Sequence, residues 1–265
     1  MSSKKDTTAG TLTVALVVCL VCSVFVAGAA VALRPTQAAN SLLDKQRSIL
    51  SIAGLGDDKL SGDQVRAMFG DQIKARVVDL ESGKYSEDYD NDAAMKFDHV
   101  ASAKDPAIST KLSGAQDIAS IKRRENLATV YVVENNGQLE TLILPVRGYG
   151  LWSTLHGFIA LKGDLNTVTG FGFYEHAETP GLGGEVDNPK WKSLWPGKEV
   201  FNAKGEPALH VIKGNVDRSS PAAKNQIDGI AGATLTSNGV NHLLDFWLGE
   251  NGFGAFIKHL RNGEA

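Results

Sequence analysis

Two stretches of this chain carry more glycine and more polar groups than a strand or helix requires. They are Glu175-His-Ala-Glu-Thr-Pro-Gly-Leu-Gly-Gly-Glu185 and Ile227-Asp-Gly-Ile-Ala-Gly-Ala-Thr-Leu-Thr-Ser237. In the second, the small residues Gly229, Ala231, Gly232 and Ala233 stand before three hydroxyls, Thr234, Thr236 and Ser237, and an apolar helical pattern then runs to Trp247. A helix that starts near Thr234–Thr236 leaves its first N–H groups unpaired, and its dipole favours an anion there. Gly232 and Ala233 let backbone amides approach a bulky ligand, so the stretch suits a phosphate. It has neither G-x-G-x-x-G nor G-x-x-x-x-G-K-[ST], which removes the dinucleotide and P-loop readings. The plain alternative is a loop closed by a hydroxyl N-cap, with Thr236 and Ser237 as candidates. In the first stretch Pro180-Gly181 predicts a tight turn, and the plain alternative is a polar turn after a strand.

Other chemistry is excluded more simply. The two cysteines, Cys19 and Cys22, leave no thiol from Ser23 to Ala265, so that region has neither a disulfide framework nor a cysteine-held metal. Cys19-Leu-Val-Cys22 reads as C-x-x-C, but inside an apolar helix the two share a face and behave as small hydrophobes; the alternative is a metal shared with a partner subunit. The six histidines are spread singly, without the spacing of a zinc site. A net charge of −3 with scattered Lys and Arg gives no nucleic-acid surface.

The elements that must position the two stretches follow from hydropathy and turn signals. Thr11 to Leu33 has no charged residue and as a helix is roughly 34 Å long, enough to cross a hydrocarbon core of about 30 Å. It is too long for the apolar region of a cleaved signal peptide. Lys4 and Lys5 ahead of it, against Arg34 behind it, favour a cytoplasmic N-terminus. Asn40 to Ala53 predicts a separate short amphipathic helix. Ser61-Gly-Asp-Gln opens another, over Gln64 to Gly70, and IKARVVDL reads as a strand. Glu81 to about Lys122 reads as long loops with at most one helix. Asn135-Asn136-Gly137 and Gly163-Asp164 mark two β-hairpins. Pro207 to Gly214 predicts a further strand, Leu235 to Leu248 a helix, and Phe253 to Leu260 a shorter one. The fold class is α+β: a twisted antiparallel sheet flanked by helices, with one N-terminal transmembrane helix. The expected division is a cytoplasmic N-terminus over 1–10, the span over 11–33, a membrane-proximal α/β part over 34–120 and a ligand domain over 121–265.

Asp228-Gly-Ile-Ala-Gly-Ala-Thr234 resembles the flavinylation motif, Asp-x-x-Ser/Thr-Gly-Ala-Thr, of FMN-binding domains that hold FMN by a phosphodiester bond to threonine. Ala231 occupies the Ser/Thr position here. Glu178-Thr-Pro-Gly-Leu-Gly183 resembles the ETPGLG loop of the same domains. With the anchor, the Gly148-Tyr-Gly-Leu-Trp-Ser153 turn and the TSNGV…FWLG…GFGAF ending, the chain is similar over nearly its full length to the C-type subunits of sodium-translocating NADH:quinone oxidoreductases. That resemblance implies an inner-membrane protein whose C-terminal domain faces the periplasm. It implies one covalent FMN at Thr234 that relays single electrons among partner subunits, after a flavin transferase has installed it. Asp228 then orients or deprotonates the acceptor hydroxyl, or simply caps a loop. The amides of Gly232, Ala233 and Leu235 hold the phosphate, and Lys213 is either its counter-charge or a solvated lysine. Glu178 and Thr179 hydrogen-bond the ribityl chain or the polar edge of the ring in the turn made by Gly181, and Leu182 covers a ring face. Trp152 lies beside the ring or in the core. The alternatives are the related G-type subunits of Rnf electron-transport complexes and a non-catalytic assembly domain whose flavin site is degenerate, which Ala231 motivates.

Overall fold

The computed structural model describes residues 7–56 and 59–265, so Lys4 and Lys5 lie outside the described residues. The chain divides into two compact units, Met1–Asp44 and Lys45–Ala265. The first is made by helix α1 (Thr8–Ile52), whose exposed apolar residues run from Leu12 to Leu42. This helix is long and apolar enough to cross a membrane. The separate helix expected over Asn40 to Ala53 is instead a continuation of α1, which passes through Pro35 without a break. A proline is unfavourable inside a helix, but Gln37, Ala38 and Ala39, which follow it after Thr36, are good helix formers.

The second unit holds the last turns of α1, where Ile49, Leu50 and Ile52 are buried, and all the remaining elements. Helix α2 (Gly62–Gln72) starts from a capping box in which the Ser61 hydroxyl accepts the Gln64 N–H and the Gln64 side chain accepts the Ser61 N–H. Strands β1 (Lys74–Asp79) and β2 (Lys84–Tyr85) follow, then helices α3 (Asn91–Lys96) and α4 (His99–Ser102). The short strands β3 (Ser109–Lys111) and β4 (Arg123–Glu125) pair with each other. The region expected as long loops therefore contains small regular pieces, tied down by aspartates: Asp90 and Asp98 cap α3 and α4.

The main sheet is built from β5 (Leu127–Asn135), β6 (Gln138–Tyr149), β7 (Thr154–Lys162) and β8 (Val168–Glu175), in the order β2-β1-β5-β6-β7-β8 and antiparallel throughout. Both predicted hairpins form. Asn136 and Gly137 have φ of 51° and 77°, the positive pair that a two-residue turn of matching twist needs. The sheet is covered on both faces. Val130, Val132, Leu142, Leu144 and Val146 join the core that includes Val240, Leu243 and Trp247. On the opposite pleat Tyr131 meets Phe69 of α2 and Phe158 of β7, with ring centroids 6.1 and 5.9 Å apart.

After β8 come helix α5 (Pro189–Lys192), strands β9 (His210–Val211) and β10 (Gln226–Ile227), and helices α6 (Thr234–Leu248) and α7 (Gly254–Asn262). The strand expected over Pro207 to Gly214 shrinks to two residues, because its partner β10, with which it pairs in parallel, offers only two. Helix α6 lies against β6: Trp247 Nε1 donates to the Arg147 carbonyl at 2.7 Å. Arg147 itself is buried and paired with buried Glu125, and its guanidinium stands 5.6 Å from the Trp247 ring centroid.

Candidate functional site

The first turn of α6 is held by neighbours that are distant in sequence. Its N-cap is Ala233, which makes no side-chain cap. Thr236 and Ser237 therefore do not cap the helix. Both lie on the inward stripe with Val240, Leu243 and Leu244, and both are buried. The Thr236 hydroxyl donates to Glu178 Oε2 at 2.8 Å. Ser237 Oγ is buried without a partner. Thr234, the first helical residue, is exposed, and so is Leu235 after it.

Glu178 organises the region. Its carboxylate is buried, 5% exposed, and Oε1 accepts the N–H groups of Leu151, Trp152 and Ser153 at 3.1, 2.9 and 3.2 Å. With Thr236 on Oε2, one side chain ties the β6–β7 turn to the start of α6. Burial pushes its carboxyl upward, but the backbone donors and the Thr236 hydroxyl outweigh that and hold it below the usual value of 4.5. The expectation that Glu178 reaches outward to a ligand is corrected here, because both of its oxygens are engaged inside the protein. Gly183 allows the close approach: a Cβ there would stand 2.5 Å from Thr236 Oγ1 and 2.7 Å from Glu178 Oε2.

The rest of the Glu175–Glu185 loop forms a turn in which the Thr179 carbonyl accepts from Leu182 and Gly184 at 3.1 and 2.9 Å. His176 anchors it, accepting the Glu178 N–H on Nδ1 at 3.2 Å with Nε2 2.6 Å from Asp187. Leu182 projects out, 46% exposed, and its side chain adjoins Gly232. Trp152 is 66% exposed at the tip of the β6–β7 turn. It is not a core residue.

The segment before α6 divides two clefts. Gly229, Ile230 and Ala231 border both. Gly229 N–H donates to the Gly214 carbonyl at 2.8 Å, and a Cβ on Gly229 would lie 2.3 Å from the Ile212 carbonyl oxygen, so only glycine lets the loop close on the chain after β9. Asn241 of α6 fixes that chain, accepting the Val211 N–H at 2.7 Å and donating to the Val211 carbonyl at 2.9 Å. One cleft, of about 340 Å³, is lined by Lys213, Asn215, Gly232, Thr234, Ser237 and Asn238 among others. The other, of about 490 Å³, takes in Gly181, Glu185, Trp191 and Asp228. Asp228 holds the loop: Oδ1 accepts the Val216 N–H at 2.7 Å, Oδ2 accepts from Arg218 at 3.1 Å, and its carbonyl accepts from Trp191 Nε1 at 3.0 Å.

The fold thus gathers Thr234, Gly232 and Lys213 around one cleft, leaves Ala233 buried beside it, and sets Trp152, Glu178, Leu182 and Leu235 around the start of α6. Two participants escaped sequence reasoning, Thr236 as the partner of Glu178 and Asn241 as the brace of β9. Five of the large apolar residues exposed outside α1, Tyr149, Leu151, Trp152, Leu182 and Leu235, belong to these same segments. A helix N-terminus with a lysine, hydroxyls and amides, bordered by exposed apolar side chains, is equipped for a ligand that has an anionic end and a flat apolar body.

Comparison with known proteins agrees with that chemistry. The FMN-binding domain family matches residues 150–249, which contain both loops and the first turns of α6. The chain is 64% identical over 263 residues to the C-type subunit of the Na+-translocating NADH-quinone reductase of Pseudomonas aeruginosa, covering 99% of this chain and 100% of that protein. It is 46% identical to the protein of the same name from Yersinia pestis, covering 97% and 95%. Among solved structures, NqrC of Shewanella oneidensis superposes with a TM-score of 0.76 at 35% identity, covering 84% of this chain and 99% of that one. The corresponding Na+-translocating NADH-quinone reductase protein from Parabacteroides distasonis gives 0.64 at 30%, covering 85% and 96%. The flavin-domain match over the site, joined to full-length likeness at this identity, shows that the chain belongs to the NqrC family, the C-type subunits of the Na+-translocating NADH-quinone reductases.

Proposed function

We propose that this chain carries FMN by a phosphodiester bond to Thr234 and relays electrons one at a time within a sodium-pumping NADH:quinone oxidoreductase. The observation that carries this reading is the position of Thr234. Its exposed hydroxyl stands at the first residue of α6, on the rim of a cleft that also presents Lys213 and the unpartnered Ser237 hydroxyl. The residues fit the group. The amides of Gly232 and Leu235, with Lys213, supply donors and positive charge for the phosphate, whereas the Ala233 N–H expected among them donates instead to the Ile230 carbonyl at 3.1 Å. The exposed Trp152, Leu182 and Leu235 offer apolar surface to the isoalloxazine. Thr179 and Gly181 shape the loop that carries Leu182.

When bound, FMN takes up one or two electrons and can pass them on singly. The protein's part is to hold and orient it. For attachment, Thr234 Oγ1 would be the acceptor atom: a flavin transferase would take its proton and join it to the phosphorus of a flavin nucleotide activated as a phosphoanhydride, whose other phosphate would depart as the leaving group. Asp228 serves by keeping the acceptor loop in shape. The flavin-carrying part is residues 121–265. The partners are the other subunits of the membrane complex, with lipid around α1. The N-terminus is cytoplasmic and the domain periplasmic, which Lys4 and Lys5 support. The near-complete coverage at 64% identity supports the sodium-pumping reductase over an Rnf-type complex.

An SDS gel viewed under ultraviolet light tests the tether. The chain made together with the transferase gives a fluorescent band, Thr234→Ala gives a dark one, and Thr236→Ala keeps the fluorescence. A dark wild-type band, or fluorescence lost with Thr236→Ala and kept with Thr234→Ala, overturns the assignment. Sodium dependence of NADH oxidation by the purified complex tests the assembly.

A further inference from the structure

The first turns of α6 contain a polar atom that the fold itself does not use. Ser237 lines the 340 Å³ cleft and is 7% exposed, and its Oγ has no hydrogen-bond partner. A helical serine commonly turns its hydroxyl onto the carbonyl four residues back. That carbonyl, of Ala233, accepts Ser237's own N–H at 2.9 Å, and the hydroxyl makes no bond to it. The adjacent hydroxyl behaves differently: Thr236 is also buried, yet it is fully committed to Glu178. An unpaired buried hydroxyl is unfavourable and is rare in folded proteins. Ser237 follows Thr234 by three residues, so the two share a helix face, and Lys213, Asn215 and Asn238 line the same cleft.

We infer that Ser237 is a phosphate-binding residue: its hydroxyl donates to a free phosphate oxygen of the flavin nucleotide, beside the ester at Thr234. The unpaired Ser237 hydroxyl is a preformed donor for that oxygen. This inference rests on the FMN reading above. It differs from a structural role in one measurable respect, the sign of the effect of removing the hydroxyl.

The test uses the full-length chain in detergent, purified with and without co-expressed transferase, as wild type, Ser237→Ala and Ser237→Thr. Without FMN, Ser237→Ala melts at or above wild type, since it deletes an unpaired group. With FMN loaded, it melts below wild type, and Ser237→Thr, which keeps the hydroxyl, regains most of the difference. Phosphorus NMR of the loaded chains gives a second readout. The phosphodiester resonance of Ser237→Ala moves from the native wild-type position toward that of urea-unfolded protein, while Ser237→Thr stays near wild type. A third measurement uses Thr234→Ala chains titrated with free FMN and with riboflavin. Adding Ser237→Ala weakens FMN by about tenfold, as expected for one bond to a charged acceptor, and leaves riboflavin unchanged. Equal melting losses with and without FMN, an unmoved phosphorus resonance, or equal weakening of FMN and riboflavin each overturns the inference. A wild-type chain that takes up no FMN overturns the site assignment itself, which is a distinguishable result.

Discussion

Glu178→Gln is the sharpest probe of how the site is held. Glutamine keeps the shape and keeps an acceptor for the three N–H groups of Leu151, Trp152 and Ser153, while Thr236 can rotate to accept from the new amide. What disappears is the negative charge. Hydrogen bonds to a charged group contribute about 1.5–3 kcal/mol each against about 0.5–1.5 for neutral ones. Part of that gain is offset by the burial of the carboxylate. Spread over the bonds at 2.8 to 3.2 Å, the variant should be less stable by about 2–3 kcal/mol at pH 7. For a unit of this size that lowers the melting temperature by roughly 4–12 °C. The pH dependence gives the stronger test. The folded carboxyl is held below its usual value of 4.5, so its contribution is present in full above that value and is lost as pH falls through the lowered folded value. The gap between wild type and Glu178→Gln should be widest at pH 7 and should close as pH drops below 4.5 in thermal melts of the two chains. A gap that is absent at pH 7, or unchanged between pH 7 and about pH 3.5, refutes the view of Glu178 as a buried anionic clamp.

Three further outcomes follow from the same geometry. Gly229→Ala drives a Cβ to 2.3 Å from the Ile212 carbonyl, so the backbone must shift; stability should fall by about 2–4 kcal/mol and the fluorescent label should weaken with it on ultraviolet gels. Arg147→Met leaves Glu125, 1% exposed, buried and unpaired; it should cost about 3–5 kcal/mol in thermal or urea unfolding, and Glu125→Leu added to it should restore most of that. Trp152→Ala removes a side chain 66% exposed, so the melt should stay within about 0.5 kcal/mol of wild type, whereas the affinity of a Thr234→Ala chain for riboflavin should drop.

Local signals made much of this molecule legible. Asn135-Asn136-Gly137 needs only its own backbone preferences to form a turn, and Ser61 with Gln64 closes its own capping box. The loop ahead of α6 stood out by its resemblance to the flavinylation motif, because small residues and hydroxyls ahead of a helix also suit an ordinary cap. What the chain did not disclose was direction. Nothing near Glu178 distinguishes a carboxylate reaching outward from one turned inward, because its partner Thr236 is 58 residues away. A signal did exist for Thr236 and Ser237. They precede Val240, Leu243 and Leu244 at helical spacing, which puts both hydroxyls on the buried stripe rather than at a solvated cap. The strand expected at Pro207 to Gly214 failed for a different reason: strand length is set by the partner, and β10 is two residues long.

The clamp made by Glu178 also bears on the order in which the chain is completed. The hairpins β5–β6 and β6–β7 join neighbours in sequence and close short loops, which is the fast kind of contact. The cleft, by contrast, needs the β6–β7 turn, the loop at Glu178, the chain after β9 and the start of α6 together, drawn from widely separated parts of the sequence. A chain arrested with its sheet formed and α6 undocked displays Thr234 but has no cleft around it. On the tether proposed above, flavin at Thr234 would mark molecules whose last long-range contacts have closed.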